Sequence, residues 1–211
     1  GALTYFGMNK DGIGNDWGDG WVRKGLDGVT SVIVSPDGGN VYASGSRHDA
    51  IAVFDRDSST GAITFVEMYK DGEGSVDGLD GVRSVTVSSD GGHVYTAGLH
   101  SKAIAVFSRD PSTGALTYIG MYKDGVGGVD GLSGLYSVMV SPDGSHVYSS
   151  GSIDHAVAVF SPHTIEQPDP VIVRRAIPAV PEEPASTAYT GCGTTNDKCI
   201  IYDNNQSEFK I

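Results

Sequence analysis

An all-β fold assembled from a recurring four-stranded antiparallel unit is predicted by three features of the 211-residue sequence. A phrase repeats: Gly28-Val29-Thr30-Ser31-Val32-Ile33-Val34-Ser35-Pro36-Asp37-Gly38 returns with few changes at residues 81–91 and 134–144, so that Ser35, Ser88 and Ser141 stand 53 residues apart. Each period carries short β-branched and aromatic runs separated by turn residues, and no segment has a helical period. Self-similarity at a long fixed period marks stacked or radial repeat folds. Four strands per period form the blade of a β-propeller, and suit a β-sandwich or a parallel β-helix poorly.

The elements follow in order within one period. Residues 31–35, 41–44 and 50–54 read as three strands, and residues 62–69 as a fourth, echoed at 115–122 and 2–8. Pro36-Asp37-Gly38 and Pro142-Asp143-Gly144 supply turn chemistry between the first and second strands: Pro presets φ, and Asp-Gly tolerates the conformation that follows. The third strands, Ile51-Ala52-Val53-Phe54 and its counterparts at 104–107 and 157–160, are apolar on consecutive residues, so both of their faces must be covered. Blades packed face to face provide that cover.

The expected domain plan is a three-repeat propeller segment over residues 1–162, followed by residues 163–211 as a proline-rich arm or a degenerate fourth blade. Propellers close with about four to eight blades, so three repeats leave the ring open. The chain starts on an outer-strand sequence, Gly1-Ala2-Leu3-Thr4-Tyr5, the equivalent of Gly114-Ala115-Leu116-Thr117-Tyr118, while the third repeat lacks such a strand after Phe160. Unpaired strand edges seek partners. The expectation is closure by a second copy of the chain through strand donation with twofold symmetry, or else by the remaining part of a longer propeller.

Composition bounds the partners. The net charge of −12 opposes nucleic acid and anionic membrane surfaces, and no apolar run reaches the roughly 20 residues of a membrane helix. Cys192 and Cys199 enclose a short flexible segment that can close as a disulfide or remain two thiols. Asn205-Gln206-Ser207 is a glycosylation acceptor sequence. Together these point to a secreted or extracellular protein.

In a propeller, the connection from outer strand to the next inner strand lies on the same face as that from second to third strand. Here those connections gather the polar and titratable groups. Candidate ligand contacts are Trp17 and Trp21, which occupy the one loop longer than its counterparts, and Thr30, Arg83 and Tyr136, which differ between otherwise matching repeats near the channel mouth. His48, Asp49, His100, Lys102, Asp154 and His155 of the second-to-third-strand turns complete the set. The aromatic rings suit stacking on sugars. Asp71, Asp77, Asp124 and Asp130 lie in Gly-rich loops that suit calcium or serve as plain turn formers. Neither a Gly-x-Ser-x-Gly or Ser-His-Asp arrangement nor zinc-ligand spacing is present, so no residue is assigned as catalytic.

Ser35-Pro36-Asp37-Gly38-Gly39-Asn40-Val41-Tyr42-Ala43-Ser44-Gly45, followed by Ala50-Ile51-Ala52-Val53-Phe54 and Gly61-Ala62-Ile63-Thr64, resembles the repeats of the lactonase-like (6-phosphogluconolactonase, YVTN-type) β-propellers. The resemblance covers residues 1 to about 160. It implies the propeller fold and a family containing sugar-lactone hydrolases alongside surface or secreted propellers without known catalysis. The reading from the residues is a non-enzymatic, carbohydrate-binding, lectin-like oligomer whose repeated sites add through multivalency. The alternative is a lactone hydrolase with His48, His100 or His155 as base and Arg83 polarising the carbonyl. A further alternative is a structural or pigment-carrying propeller.

Overall fold

The computed structural model describes residues 3–5, 7–10, 24–162, 201–203 and 206–209. Those residues form thirteen strands and no helix, hence no helix long and apolar enough to cross a membrane. The chain divides into two units, Gly1–Ala176 and Ile177–Ile211. In the second, β12 (Ile201–Asp203) and β13 (Gln206–Phe209) pair as an antiparallel hairpin.

The first unit holds the repeats. Blade 1 is the antiparallel meander β1 (Val29–Val34), β2 (Asn40–Gly45), β3 (Ala50–Arg56) and β4 (Ile63–Lys70). Blade 2 repeats it as β5 (Val82–Val87), β6 (His93–Gly98), β7 (Ala103–Arg109) and β8 (Leu116–Lys123). Blade 3 comprises β9 (Leu135–Val140), β10 (Val147–Gly151) and β11 (Ala156–Phe160), with no outer strand among the described residues. Among the described residues the architecture is therefore an open propeller segment of two four-stranded blades and one three-stranded blade.

The repeated Ser-Pro-Asp-Gly phrase is the hairpin between first and second strands. Ser35 Oγ donates to Asp37 Oδ1 at 2.5 Å, Asp37 Oδ1 also accepts from the Gly39 N–H at 2.9 Å, and the Asn40 N–H donates to Ser35 Oγ at 3.0 Å. The same triangle recurs around Asp90 and Asp143. Gly38, Gly91 and Gly144 sit at φ of 74°, 74° and 72°, the left-handed region that a Cβ disfavours. The hydroxyl of Ser35, aided by the Gly39 N–H, holds the Asp37 carboxyl down at about 2.

Strand alternation explains how the blades stack. Tyr42, Ile51 and Val53 of blade 1 meet Val82, Val85, Val94, Ala105 and Phe107 of blade 2 in one core. The opposite face of blade 2, with Tyr95, Ala97, Ile104 and Val106, meets Leu135, Val138, Val147, Ala158 and Phe160 of blade 3. The middle strands are thus buried on both sides, which is why their apolar residues run consecutively. Burying a Val, Ile or Phe side chain is worth about 1.5–3 kcal/mol, so the blade interfaces carry most of the stability.

The two ends of the array differ from its middle. Val29, Val32 and Val34 of β1 are 51%, 65% and 46% exposed, whereas their counterparts Val82, Val85 and Val87 are buried. At the other end Val157 is 46% exposed, whereas its counterpart Ile104 is 1% exposed.

Candidate functional site

The turns between second and third strands lie against the segments that lead into the inner strands. The Ser46 N–H donates to Gly28 O, the His100 N–H to Asp80 O and the Ser152 N–H to Gly134 O, while the Asp71 N–H donates to Asp49 O and the Asp124 N–H to Lys102 O. The two loop sets expected to share an end of the blades therefore do so.

At that end, Thr30, Arg83 and Tyr136 occupy one equivalent position, and the structure shows what is special about it. The ladder between first and second strands shifts register between Val29 and Ser31, between Val82 and Ser84, and between Leu135 and Ser137. Each of the three residues is the extra residue of a β-bulge, which breaks the alternation and re-aims the side chain. Thr30 Oγ1 lies 3.0 Å from Ser44 Oγ and donates to Val82 O at 3.1 Å, binding blade 1 to blade 2. Arg83 projects toward blade 3 with its Cζ 5.8 Å from the Tyr136 ring centroid, within cation–π range. Among the described residues its Nε is shielded from solvent and has no hydrogen-bond partner. Tyr136 is 53% exposed. An accessible ring beside a guanidinium combines a stacking face with hydrogen-bond donors.

The turn residues divide differently. His48, His100 and His155 are not equivalents: in the 53-residue register His48 corresponds to Ser101 and Asp154, His100 to Arg47 and Ile153, and His155 to Asp49 and Lys102. His48 Nδ1, Ser101 Oγ and Asp154 Oδ2 accept the N–H groups of Asp27, Asp80 and Ser133 respectively. Asp49, Lys102 and His155 share a left-handed φ of 54°, 52° and 52°. Asp49 Oδ1 also accepts the Gly81 N–H at 2.8 Å, joining blade 1 to blade 2. These side chains hold turns, a role that the sequence conceals because three chemically unlike residues perform it.

The acidic loops show a similar economy. Asp71 Oδ1 accepts the Leu79 N–H, and Asp77 Oδ1 that of Gly78. The counterparts Asp124 and Asp130 accept from Leu132 and Gly131. Among the described residues a third carboxylate joins them only in blade 3, where one oxygen from each of Asp124, Asp130 and Asp154 lies within 4.8 Å of the others. Three carboxylates at that spacing could hold a hard cation. Each also anchors a backbone N–H, which accounts for its placement without an ion. Trp17, Trp21, Cys192, Cys199 and Asn205 lie outside the described residues.

Comparison with known proteins follows the fold. The family profile described as "Lactonase, 7-bladed beta-propeller" matches residues 20–129, just over half of the chain. No curated protein sequence matches. Among solved structures, the periplasmic gluconolactonase of Pseudomonas aeruginosa is 20% identical with a TM-score of 0.56, over 68% of this chain and 38% of that one. A candidate 6-phosphogluconolactonase of Bacteroides uniformis is 21% identical with a TM-score of 0.55, over 74% and 45%. Another from Bacteroides fragilis is 15% identical with a TM-score of 0.55, over 74% and 39%. The chain spans less than half the length of each of these structures, and the likeness shows the shared fold.

Proposed function

Because the chain belongs to the lactonase family of seven-bladed β-propellers, we propose that the bulge-bearing end of its inner strands binds a sugar-derived ring as a non-enzymatic recognition site. The observation that carries this reading is Arg83. Its guanidinium lies 5.8 Å from the Tyr136 ring centroid, and among the described residues its Nε has no hydrogen-bond partner, so the group is not committed to a fixed ion pair or turn. A sugar hydroxyl, ring oxygen or lactone carbonyl would accept from the terminal Nη groups of Arg83 while the C–H face of the ring lies on exposed Tyr136. Asp124, Asp130 and Asp154 stand in the adjoining loops with free carboxylate lone pairs for hydroxyl groups.

Lactone hydrolysis is the second reading, favoured by the names that similar structures carry, gluconolactonase and 6-phosphogluconolactonase. In it Arg83 would polarise the carbonyl, and a base within hydrogen-bond reach of the attacking water would be required. His48 Nδ1 already accepts a backbone N–H, which argues for recognition over turnover.

Calorimetric titration of the chain with glucose, gluconate and glucono-lactone, beside a glycan array run with calcium and with chelator, tests the proposal. Binding of a sugar ring is expected to weaken by about tenfold or more in Arg83→Ala and in Tyr136→Ala, matching the loss of about 1.4 kcal/mol or more at either group. Consumption of glucono-lactone that requires Arg83 replaces recognition by catalysis. Indifference to every sugar and lactone eliminates both.

A further inference from the structure

Blade 3 shows where an outer strand belongs. The interface of blades 1 and 2 provides the template, because β8 covers the edge of β7 there and inserts three groups into the blade boundary. Tyr42 Oη donates to Gly114 O at 2.8 Å, the Leu116 N–H donates to Tyr69 Oη at 2.9 Å, and the Tyr118 ring packs edge-on against Phe107. At the interface of blades 2 and 3 the corresponding receivers are Tyr95, Tyr122 and Phe160, and no outer strand among the described residues reaches them. Among the described residues neither the Tyr95 nor the Tyr122 hydroxyl has a hydrogen bond, β11 is paired on one side only, and a cavity of about 50 Å³ opens between His93, Tyr95, Tyr122 and Phe160.

The missing piece is present elsewhere in the chain. Residues 1–10 match residues 114–123 at eight of ten positions, differing only at Phe6 and Asn9. Yet Leu3 is 101% and Tyr5 77% exposed, whereas Leu116, the counterpart of Leu3, is 5% exposed. Residues 3–5 form no strand. Nearby, Asn9 Nδ2 donates to Ile63 O, and Lys24 Nζ to Asn9 Oδ1, both at 2.8 Å.

We infer that the segment beginning at Leu3 of one copy adds to the free edge of β11 in a second copy, and that blade 1 of the donor then packs on the open face of blade 3. The register follows from the β7–β8 ladder, in which Phe107 faces Tyr118, Ser108 faces Thr117 and Arg109 faces Leu116. Tyr5 is therefore placed opposite Phe160, Thr4 opposite Ser161 and Leu3 opposite Pro162. Gly1 O and the Leu3 N–H then meet the waiting hydroxyls of Tyr95 and Tyr122. The faces brought together are the exposed ones at the two ends of the array: Val29, Val32 and Val34 on the donor, Met139 and Val157 on the acceptor. Ser84 Oγ, which accepts the Val138 N–H across one blade boundary, has its exposed counterpart in Ser137, ready to make the same contact with the donor's β1. The same head-to-tail contact made twice joins two copies.

Sedimentation of the full 211-residue chain is expected to show association, with concentration, from 22.0 kDa to twice that mass. Leu3→Asp, at a fully exposed position, should abolish association while leaving the far-ultraviolet circular dichroism and melting of the monomer unchanged. Thr4→Cys and Ser161→Cys, made in separate chains on a Cys192→Ser, Cys199→Ser background and mixed, should form a disulfide between copies. A chain that stays monomeric throughout, or association that survives Leu3→Asp, overturns the inference. So does a disulfide that forms only within a doubly substituted chain, since the strand would then fold back on its own blade. None of these readings depends on whether a sugar binds.

Discussion

Arg109 reaches from the end of β7 across the blade boundary with a side chain wholly shielded from water. Its Nε donates to Tyr42 Oη at 2.7 Å, Nη1 to Gly91 O at 3.0 Å, and Nη2 to both Asp37 Oδ2 and Asn40 Oδ1 at 2.7 Å. Each of the three nitrogens donates, four bonds in all, so the charge is compensated even though burial opposes it. Arg109→Ala strands these acceptors and is expected to cost about 3 kcal/mol, the lower end for breaking a buried pair because Asp37 keeps partial access to water; urea unfolding measures it. Asp37 also predicts an acid limb. Its folded carboxyl titrates near 2, below the usual 3.8, so its contribution is complete above pH about 4 and lost as pH falls toward 2. Asp37→Asn should lower stability at neutral pH and flatten the fall of the unfolding midpoint across that window. Neither role is visible in the sequence, because Arg56 and Arg109 share a repeat position while, among the described residues, only Arg109 meets another blade's carboxylate, and Pro162 replaces it in the third repeat.

Within an element, the constraints are backbone approach and turn handedness. Gly98 closes β6 where an added Cβ would lie 2.3 Å from Gly78 O, and the equivalent contacts at Gly45 and Gly151 are as close. Gly98→Ala cannot be relieved by turning a side chain, since the obstacle is backbone, and should destabilise the chain by about 1–3 kcal/mol, as overpacking does; a lowered melting temperature would register it. Lys102 is the reverse case. It adopts φ of 52° with an exposed side chain, a conformation costing a non-glycine residue about 1–2 kcal/mol. Lys102→Gly should therefore be neutral or stabilising by the same measurement, the greater freedom of glycine in the unfolded chain offsetting part of the gain. Strand positions and the Asp-Gly hairpins were legible from alternation and turn chemistry. The bulges were not, since a single extra residue leaves no mark on a pattern of period two.

At the scale of the whole molecule, stability should be greatest where a blade is covered on both faces. Amide hydrogen exchange is expected to be slowest in β6 and β7 of blade 2 and faster in β1 and β11, which face the open ends; uniform protection across the three blades would contradict the graded packing. The repeat by itself determined the all-β class, the number and order of strands in a blade and the turns between them, because each depends on local periodicity that recurs along the chain. Tertiary structure alone decided which faces meet, which tyrosine hydroxyls are satisfied among the described residues, and that Arg83 of one blade stands beside Tyr136 of the next. Those outcomes arise between residues of different blades, where neighbours are set by packing and bulge geometry instead of by position along the chain.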